Sequence, residues 1–522
     1  MTLPETRDRD RDRDRDRDRA GAGPASPPAA RDGFPQLLHA EWTKLRTVPR
    51  WGLTLLGGIA LTVLISFFSA AGSSVEIADQ DRPPVPAGRE GQQLVDSVGF
   101  AHRALHGDGS ITARVSGPAG VEPEQAPEWA KAGLLIRESL TPGADYAALM
   151  VTAGHGVRMQ SEFARDVPGS AAASPDTPHW LRLTRTGSTV TGYESADGEE
   201  WSEVGTVRLA DAPEELSVGL FVGSPDITRM ERAFGNVTVG QLGSSATADF
   251  DEVSIEGGVT ARDWRHTDIG GVSPSAGDPG EFRRSGSVFT LTGSGDIGPA
   301  PTDTDLAATA LNGSQLGLVL IAAVGVLFIT AEYRRGMIRT TFTAGPRRGR
   351  VLAAKAVVIG AVAFAAGLVA ALVSFLLAMP VLRDNGHVPP MFPELALGDA
   401  AVLRAVLGTG LLLALIAVLA LGLGALTRST AVSITAVVVV FVLPLILVST
   451  LPLELSQWLQ RLTPMAGFAV QQTLPRYGHV ERLCLPENAC YPQGPWTGLT
   501  TLLLYTAAVL ALAAWRLRKR DA

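Results

Sequence analysis

The sequence lacks motifs that several common classes of protein require. No G-x-x-x-x-G-K-[S/T] phosphate loop occurs in its 522 residues, and without one a chain cannot hydrolyse ATP by the usual route. His155 and His179 show no metal-ligand spacing. No basic surface suggests nucleic acid. We therefore expect no metal site, no cofactor held by this chain, and no nucleic-acid partner.

The sequence contains six long apolar segments. Charged residues are scarce within them. The segments run over 51–71, 313–331, 353–379, 402–426, 430–451 and 496–515. Each approaches or exceeds the ~20 apolar residues that a helix needs to cross ~30 Å of hydrocarbon. The sequence predicts a membrane-embedded, all-α six-helix bundle, with the first segment a retained anchor and not a cleaved signal peptide. So few intramembrane charges argue against a proton-coupled carrier and fit an apolar or amphipathic cargo.

Basic residues at the ends of these segments orient the bundle. Lys44, Arg46 and Arg50 precede the first segment. The same side receives three later groups: Arg334, Arg335, Arg339, Arg347, Arg348, Arg350 and Lys355; then Arg428; then Arg516, Arg518, Lys519 and Arg520. The excess of Lys and Arg predicts that both termini are cytoplasmic and that residues 72–312 lie outside the cytoplasm.

Cysteine is nearly absent. Cys484 and Cys490 are the only two, and both lie in the last outer loop, "RLCLPENACYPQG". An even count on the oxidising side indicates one disulfide that closes a tight Pro-Glu-Asn turn. The alternative is a pair of free thiols.

The N-terminal region divides into two parts. Residues 7–19 alternate Arg and Asp; such a zwitterionic repeat buries no apolar surface, so 1–33 is predicted to be disordered. The next stretch places Leu38, Trp42 and Leu45 at i, i+4 and i+7, with Lys44 toward the polar side. This predicts an interfacial helix over 34–50 on the inner leaflet, although Glu41 interrupts its apolar face.

The basic block after the second segment also has local structure. In "AEYRRGMIRTTF", a broad helical arc holds Tyr333, Met337, Ile338 and Phe342, with Arg335 and Arg339 opposite. Gly345-Pro346 then ends the helix. The block is at least a positive-inside anchor. A short helix held between two spans is also well placed for a partner protein to push.

Three stretches together resemble the bacterial ABC-2 type transporter permeases. They are "HAEWTKLRTVPRWGLTLL", "FITAEYRRGMIRTTFTAGPRRGRVLAAKAVV" and the last span closed by "AAWRLRKRDA". The resemblance covers 1–71 and 313–522. It implies a cytoplasmic coupling helix at about 332–342 that docks on a separate ATP-binding subunit. That role falls on Glu332, Tyr333, Arg335, Met337, Arg339 and Phe342, beside the interfacial helix with Leu38, Trp42, Lys44 and Leu45.

Residues 72–312 do not fit that pattern, because their periodicity is two. Short alternating runs such as "SITARVSG", "KAGLLIRESL", "YAALMVTAG" and "LSVGLFVGS" lie between Gly, Pro, Asp and Ser turns. Asp197-Gly198 is a hairpin signal. The pattern predicts an inserted all-β sandwich or jelly roll. "DWRHTDIG" and "SGSVFTLTGSGDIG" either complete this sandwich or form a partial second copy.

Residues 93–256 also resemble the concanavalin A-like (laminin G-like) sandwich. The resemblance rests on "HGDGSITARV", "WAKAGLLIRES", "HWLRLTRTGSTVTGYESADGEEW" and "FDEVSI". Glucanases of this fold carry Glu-x-Asp-x-x-Glu; Asp249, Asp251 and Glu252 come nearest and miss it. We expect a binding module without catalysis. Four aromatic residues are candidates for stacking on a sugar ring, or else belong to the core: Trp129, Trp180, Tyr193 and Trp201.

The sequence therefore predicts the permease subunit of an ATP-driven exporter of the bacterial plasma membrane. It would have no enzymatic activity of its own and would act as a homodimer or heterodimer in the lipid membrane, with an outer module for an unknown ligand, carbohydrate among the candidates. A membrane-anchored sensor or carbohydrate-binding protein is the alternative. The predicted divisions are 1–33, 34–50, 51–71, 72–312, 313–515 and a basic tail at 516–522.

Overall fold

The computed structural model describes most of the chain. The residues covered are 33–75, 86–88, 92–122, 124–170, 177–210, 212–233, 236–259, 263–271, 280–300, 304–334, 336–337, 348–389, 391–480 and 483–519. The Arg-Asp repeat predicted to be disordered lies outside them. Within the described residues a helical region and a separate, large all-β domain are present.

The helices follow the apolar segments of the sequence. In chain order they are α1 Phe34–Thr47, α2 Pro49–Ala71, α3 Leu306–Ala310, α4 Ser314–Arg334, α5 Arg348–Asp384, α6 Ala400–Thr427, α7 Thr430–Val448, α8 Leu453–Leu462 and α9 Pro495–Lys519. Two 3₁₀ helices, Pro464–Gln471 and Pro486–Asn488, lie between α8 and α9.

Six of these helices are long and apolar enough to cross a membrane: α2, α4, α5, α6, α7 and α9. They coincide with the six predicted segments, so the prediction of a multi-pass membrane protein is confirmed. Helix α5 has 37 residues, about 55 Å at 1.5 Å per residue, and therefore extends beyond a ~30 Å hydrocarbon layer.

Helix α6 is the central helix of the bundle and packs against α4, α5 and α9. Small residues let the neighbouring helices approach. A Cβ added to Gly410 would lie 3.2 Å from the Phe364 carbonyl oxygen of α5, and one added to Gly424 would lie 2.8 Å from the Ile329 side chain of α4. Such positions are typical of helix pairs in membranes, where van der Waals contact drives association.

The β-domain contains eighteen strands among the described residues. They are β1 Leu94–Asp96, β2 Val98–Val115, β3 Ala119–Glu122, β4 Lys131–Arg137, β5 Tyr146–Thr152, β6 Gly156–Ser161, β7 Arg165–Pro168, β8 His179–Thr186, β9 Thr189–Ser195, β10 Ser202–Arg208, β11 Glu215–Gly223, β12 Ile227–Ala233, β13 Asn236–Leu242, β14 Ser245–Val259, β15 Arg265–Ile269, β16 Glu281–Ser285, β17 Val288–Ser294 and β18 Ile297–Pro299.

Fourteen strands form one sheet with the order β10-β9-β8-β2-β11-β4-β5-β6-β7, to which β14, β15, β16, β17 and β3 attach. Strand β2 has 18 residues and organises the sheet, because its first half pairs with β11 and β15 and its second half with β8 and β14. Strands β15 and β17 join this sheet. The last two sequence runs therefore complete the domain and do not begin a second copy.

The alternation of apolar and polar residues in the sequence corresponds to alternating burial of side chains along some of the strands. Strand β8 reads buried and half-exposed in turn from His179 onward, as expected of a sheet with one face on a core. Strands β4 and β5 are buried along their whole length. At the predicted hairpin, Gly198 has φ +83°, a left-handed conformation that glycine adopts without steric cost.

The β-domain is an insertion whose two connections lie side by side. Strands β1 and β18 pair antiparallel, with Leu94 opposite Pro299. The β-domain also contacts the loop before α9, where the imidazole of His479 lies 2.9 Å from the Phe163 carbonyl oxygen. Asn385, just after α5, donates to the Ala70 carbonyl at the end of α2 (3.0 Å). We call this end of the helices the β-domain end of the bundle.

Candidate functional site

Four charged side chains form a cluster at the opposite end of the bundle. The Lys355 ammonium lies 2.6 Å from Glu41 Oε2 and 2.7 Å from Glu332 Oε1. The Lys44 ammonium lies 2.8 Å from Glu41 Oε1 and 3.0 Å from Glu332 Oε1. Each lysine bonds to both glutamates, and we call these residues the four-charge cluster.

The four-charge cluster is largely removed from solvent. Lys355 is 1%, Glu41 2% and Glu332 5% exposed. Two acids and two bases make it formally neutral. A buried pair gains little net stability because desolvation offsets attraction, but removing one partner is costly, typically ~3–5 kcal/mol. Burial lowers the pKa of Lys44, but hydrogen bonds and charges from Glu41 and Glu332 outweigh it, so that pKa is raised.

Aromatic rings enclose the apolar side of the cluster. The Lys355 ammonium sits 4.6 Å from the centroid of the Phe328 ring, a cation–π contact that is strengthened where water is excluded. Trp51 of α2 meets the same Phe328 ring edge-on at 5.4 Å between centroids. The cluster is thus packed against α2 as well as held by α1, α4 and α5.

Each helix supplies its charge at a defined place. Glu41 and Lys44 are one turn apart on α1, Glu332 is in the last turn of α4, and Lys355 is about two turns into α5. Both flanks of the connection between α4 and α5 are therefore anchored in one cluster. Arg348 at the start of α5 also donates to the Leu517 carbonyl near the end of α9 (3.0 Å). Motion of this connection would act on α1, α4 and α5 together.

The residues predicted for a coupling helix are only partly described. Glu332 is in the four-charge cluster, and Tyr333 packs on the bundle core with the Arg428 guanidinium 5.4 Å from its ring centroid. Met337 is 44% exposed. Arg335, Arg339 and Phe342 lie outside the described residues.

The helix predicted over 34–50 is present as α1, Phe34–Thr47, and its position at the membrane interface stays a prediction. Leu38 and Leu45 pack on the bundle core, Trp42 is 46% exposed, and Lys44 is in the four-charge cluster. Trp42 is therefore the member of this set that is available to lipid or to a partner.

Sequence reasoning missed Glu41 and Lys355 as site residues. The sequence analysis noted Glu41 as an interruption of the apolar face of α1 and counted Lys355 with the basic block, and it assigned no partner to either. In the structure the Lys355 side chain is buried and paired with Glu41 and Glu332. The signal was present: an isolated charge on an apolar helix face requires a partner. It did not say which partner.

At the β-domain end of the bundle, Cys484 and Cys490 are bonded to each other as a disulfide across 5.2 Å between Cα atoms. The bond closes the short 3₁₀ turn Pro486–Asn488. Cys490 is 7% exposed and the adjacent Tyr491 is 3% exposed, so one side of the bridge lies against the protein.

Three of the four candidate aromatic residues of the β-domain lie together. Trp201 donates from Nε1 to the Gly198 carbonyl (3.1 Å), and the Trp180 ring lies against Gly198. The Arg182 guanidinium stacks 3.8 Å from the Trp201 ring centroid, and Tyr193 is paired opposite Arg182 across β8 and β9. We call Trp180, Arg182, Tyr193 and Trp201 the aromatic patch.

Trp129 is elsewhere: it is 6% exposed and stacks on His155 at 3.9 Å between centroids. His179 bonds Glu194 at 3.1 Å, beside Ser170. Burial raises the pKa of Glu194, but hydrogen bonds from His179 and Ser170 outweigh it and the pKa is lowered. Among the described residues, no group of three or more His, Cys, Asp or Glu side chains is placed to hold a metal ion.

Comparison with known proteins places the helical region in a class. Residues 304–522 match the model of a family described as "ABC-2 family transporter protein". These residues, with the apolar helices they contain, are similar to the membrane domain of ABC-2 transporters, and this similarity supports a permease role. No curated protein matches the chain.

Solved structures resemble part of this chain only distantly. A member of the Eqolisin family of peptidases in complex with the tripeptide Ala-Ile-His is 11% identical, with TM-score 0.25, over 38% of this chain and 98% of that chain. Scytalido-glutamic peptidase with a peptide-based transition state analog is 10% identical, with TM-score 0.24 over the same shares. A functionally unknown protein from Saccharomyces cerevisiae is 16% identical, with TM-score 0.23 over 35% and 91%. Such scores assign neither activity nor fold.

Proposed function

We propose that this chain is the permease subunit of an ATP-driven exporter, worked by a separate ATP-binding subunit. ABC-2 membrane subunits generally act with such a subunit, and the chain has no phosphate loop of its own. The single observation that carries the proposal is the four-charge cluster, which anchors both flanks of the α4–α5 connection and α1 in one place.

Rigidity determines whether a push on this connection reaches the helices. A displacement applied to a flexible loop is absorbed by rotation about its own backbone bonds. A displacement applied to a segment that is anchored at both flanks is passed to the helices that anchor it. A largely buried network of ion pairs resists small distortions because partial separation leaves an uncompensated charge. The α4–α5 connection, which includes Met337, is therefore the proposed docking surface for the ATP-binding subunit.

The proposed orientation puts this end of the bundle in the cytoplasm. Basic residues of the described chain concentrate there: Lys44, Arg334, Arg348, Arg350, Arg428, Arg516, Arg518 and Lys519. The positive-inside rule then makes the β-domain external. Two such chains, identical or related, would form the path between their bundles.

The β-domain is proposed to be an external binding module. The aromatic patch supports this role, since half-exposed aromatic rings beside a guanidinium suit a planar or sugar-like ligand. The same patch keeps the alternative of a membrane-anchored sensor open. The two are distinguished by ATP: a sensor would need no ATP-binding subunit for its function.

The test is association with a P-loop ATPase from the same host. The full-length chain is purified in mild detergent with this ATPase co-expressed, and ATP hydrolysis is measured after reconstitution. Met337→Asp should reduce the amount of co-purified ATPase at least tenfold, because a carboxylate buried in an interface loses its hydration without gaining a partner. Arg339→Ala should have a milder effect, since an exposed ion pair contributes only ~0–1 kcal/mol.

Val239→Asp is the matched control, because Val239 of the β12–β13 hairpin is 42% exposed against 44% for Met337. It should retain the ATPase fully. Normal ATPase binding and hydrolysis by Met337→Asp would reduce the basic block to a positive-inside anchor and favour the sensor.

A further inference from the structure

Helix α8 turns its apolar side outward and its polar side inward. Leu455, Trp458 and Leu462 are 52%, 53% and 62% exposed, whereas Ser456 and Gln460 are buried. A helix on the surface of a water-soluble domain shows the opposite arrangement, with its apolar stripe on the core. The exposed face of α8 therefore requires an apolar environment outside the described part of the chain.

Hydrogen bonds on the inward side fix the orientation of α8. The Ser456 hydroxyl donates to the carbonyl oxygen of Val448 (2.8 Å), the last residue of α7. The Gln457 amide donates to the carbonyl oxygen of Cys484 (3.3 Å) in the disulfide-bonded loop. Rotating α8 to bury its apolar side would break both bonds, and an unsatisfied buried polar group costs free energy. The exposure of the apolar face is therefore a consequence of the packing.

A contact with the last span indicates the depth of α8. The Tyr505 hydroxyl donates to the Leu462 carbonyl oxygen at the end of α8 (2.7 Å). Tyr505 is 10 residues after Pro495, the first residue of α9, which is about 15 Å along the helix. Helical side chains lean toward the start of their helix, so this hydroxyl lies roughly 10 Å from the β-domain end of α9.

The length of α9 places that depth within the hydrocarbon layer. Helix α9 has 25 residues, about 37 Å, and is long and apolar enough to cross a membrane. It exceeds a hydrocarbon layer of ~30 Å by only a few ångströms at each end. A point roughly 10 Å from its β-domain end is therefore level with the acyl chains, and so is Leu462.

The exposed face of α8 also continues the exposed surface of α9. Tyr505 is itself 43% exposed, and the adjacent Leu504 is 65% exposed. Lipid that covers this side of the span would therefore also reach Leu462. The occupant of the α8 face is then the same as that of the neighbouring span.

The exposed arc of α8 has an apolar part and a charged part. At 3.6 residues per turn, Leu455, Trp458 and Leu462 share one sector of the helix, and Glu454 and Arg461 occupy the sector beside it. The Arg461 guanidinium lies 5.5 Å from the Trp458 ring centroid, where the two sectors meet. Such a division suits a helix at the boundary between head groups and acyl chains, where tryptophan is enriched.

We propose that α8 is embedded in the leaflet on the β-domain side of the membrane and that lipid acyl chains cover its apolar face. Glu454 and Arg461 then reach the head groups, the arginine through its long side chain. The chain thus has a membrane-embedded segment besides its six spans. The proposal goes beyond the transport function and does not depend on an ATP-binding subunit.

The test uses the full chain in nanodiscs that contain phosphatidylcholine with a diazirine in the middle of one acyl chain. After illumination, labelled peptides are mapped by mass spectrometry. Labelling of 453–462 should reach at least half of that on 496–505 of α9. The β9–β10 hairpin, which carries the half-exposed Tyr193 and Trp201, should be labelled at least tenfold less. A water-soluble diazirine should give the reverse pattern.

Two hydroxyl variants of α9 test the contact that indicates the depth. Tyr505→Phe removes the donor to Leu462 and keeps the ring, so acyl-chain labelling of 453–462 should fall at least twofold. Thr500→Val is the matched control, because Thr500 is also exposed on α9 but its hydroxyl bonds within its own helix, to the Trp496 carbonyl (2.8 Å). It should leave the labelling unchanged.

A second copy of the chain is the competing occupant of this face. Benzoylphenylalanine in place of Leu455 should cross-link to lipid and give no covalent dimer. A dimer as the main product, together with weak acyl-chain labelling of 453–462, would overturn the proposal. So would labelling of 453–462 by the water-soluble probe at the level of the β9–β10 hairpin.

Discussion

Glu41 and Lys355 are 314 residues apart in the chain, yet a carboxylate oxygen and an ammonium nitrogen meet at 2.6 Å. This pair joins the helix before the first span to the start of the third. With Glu332 and Lys44 it makes a neutral group of four charges, of which Glu41, Glu332 and Lys355 are buried. Removing any one of the four should therefore leave a buried charge without its full complement of partners.

Neutralising Lys355 alone should destabilise the helical region strongly. Lys355→Met leaves Glu41 and Glu332 facing each other with only Lys44 to compensate, and a broken buried pair typically costs ~3–5 kcal/mol. The double variant Lys355→Met/Glu41→Gln should recover part of that loss, giving a coupling energy of ~0.5–3 kcal/mol. Thermal unfolding in detergent measures it. Arg350→Met, an exposed charge on the same helix, should change stability by less than about 0.5 kcal/mol; additive effects in the double variant would contradict the cluster.

Acidification should loosen the contact between the β-domain and the loop before α9. Burial lowers the pKa of His479, and Lys131 adds to this, although the Phe163 hydrogen bond, Asp166 and Asp296 oppose it. The unfolded histidine therefore binds a proton more readily than the folded one. The contact is complete at neutral pH, and its stability falls as pH drops below about 6.5.

Hydrogen exchange around Phe163 at pH 7.5 and pH 5.0 checks this, with faster exchange at pH 5.0 beyond the intrinsic pH effect. His479→Gln keeps an N–H donor but does not titrate, so its protection should be lower and independent of pH. A wild-type contact that is equally protected at both values would rule out the histidine as the cause.

The two cysteines should be inaccessible to maleimide until a reductant is added. Their sulfurs are bonded to each other, and a disulfide has no thiolate to react. Mass spectrometry under non-reducing conditions should find no adduct, and two after reduction. Cys484→Ser frees Cys490 and should give one adduct without reductant. Two adducts on the untreated wild-type protein would mean that the cysteines are free thiols.

Protease added to intact cells with an accessible outer surface should cut within 80–300 and spare 334–350. The reason is the concentration of Lys and Arg at the end of the bundle that carries the four-charge cluster. Inverted vesicles should give the reverse pattern. Protection of 80–300 in intact cells, together with cleavage there in inverted vesicles, would mean that the chain is oriented the other way.

The sequence alone determined the elements that depend on local pattern. Hydropathy located the six spans because crossing hydrocarbon requires a continuous apolar run. Alternation located strands such as β4, β5 and β8 because side chains of a strand point to opposite faces in turn. The disulfide between the two cysteines and the turn at Asp197-Gly198 could also be predicted, because each depends on residues that are close together in the sequence.

Only the tertiary structure decided which distant residues meet. Glu41 and Lys355 are charged residues in apolar surroundings, which indicates that each needs a partner. The sequence does not show that the two, 314 residues apart, are partners of each other. Helix α8 was not predicted from the sequence, and only the fold shows that Leu455, Trp458 and Leu462 lie on an exposed face. A cavity beside α8 is lined by residues of this helix and by Gln93 and Ala300 of the β-domain connections. These features arise from packing between elements, which local periodicity does not encode.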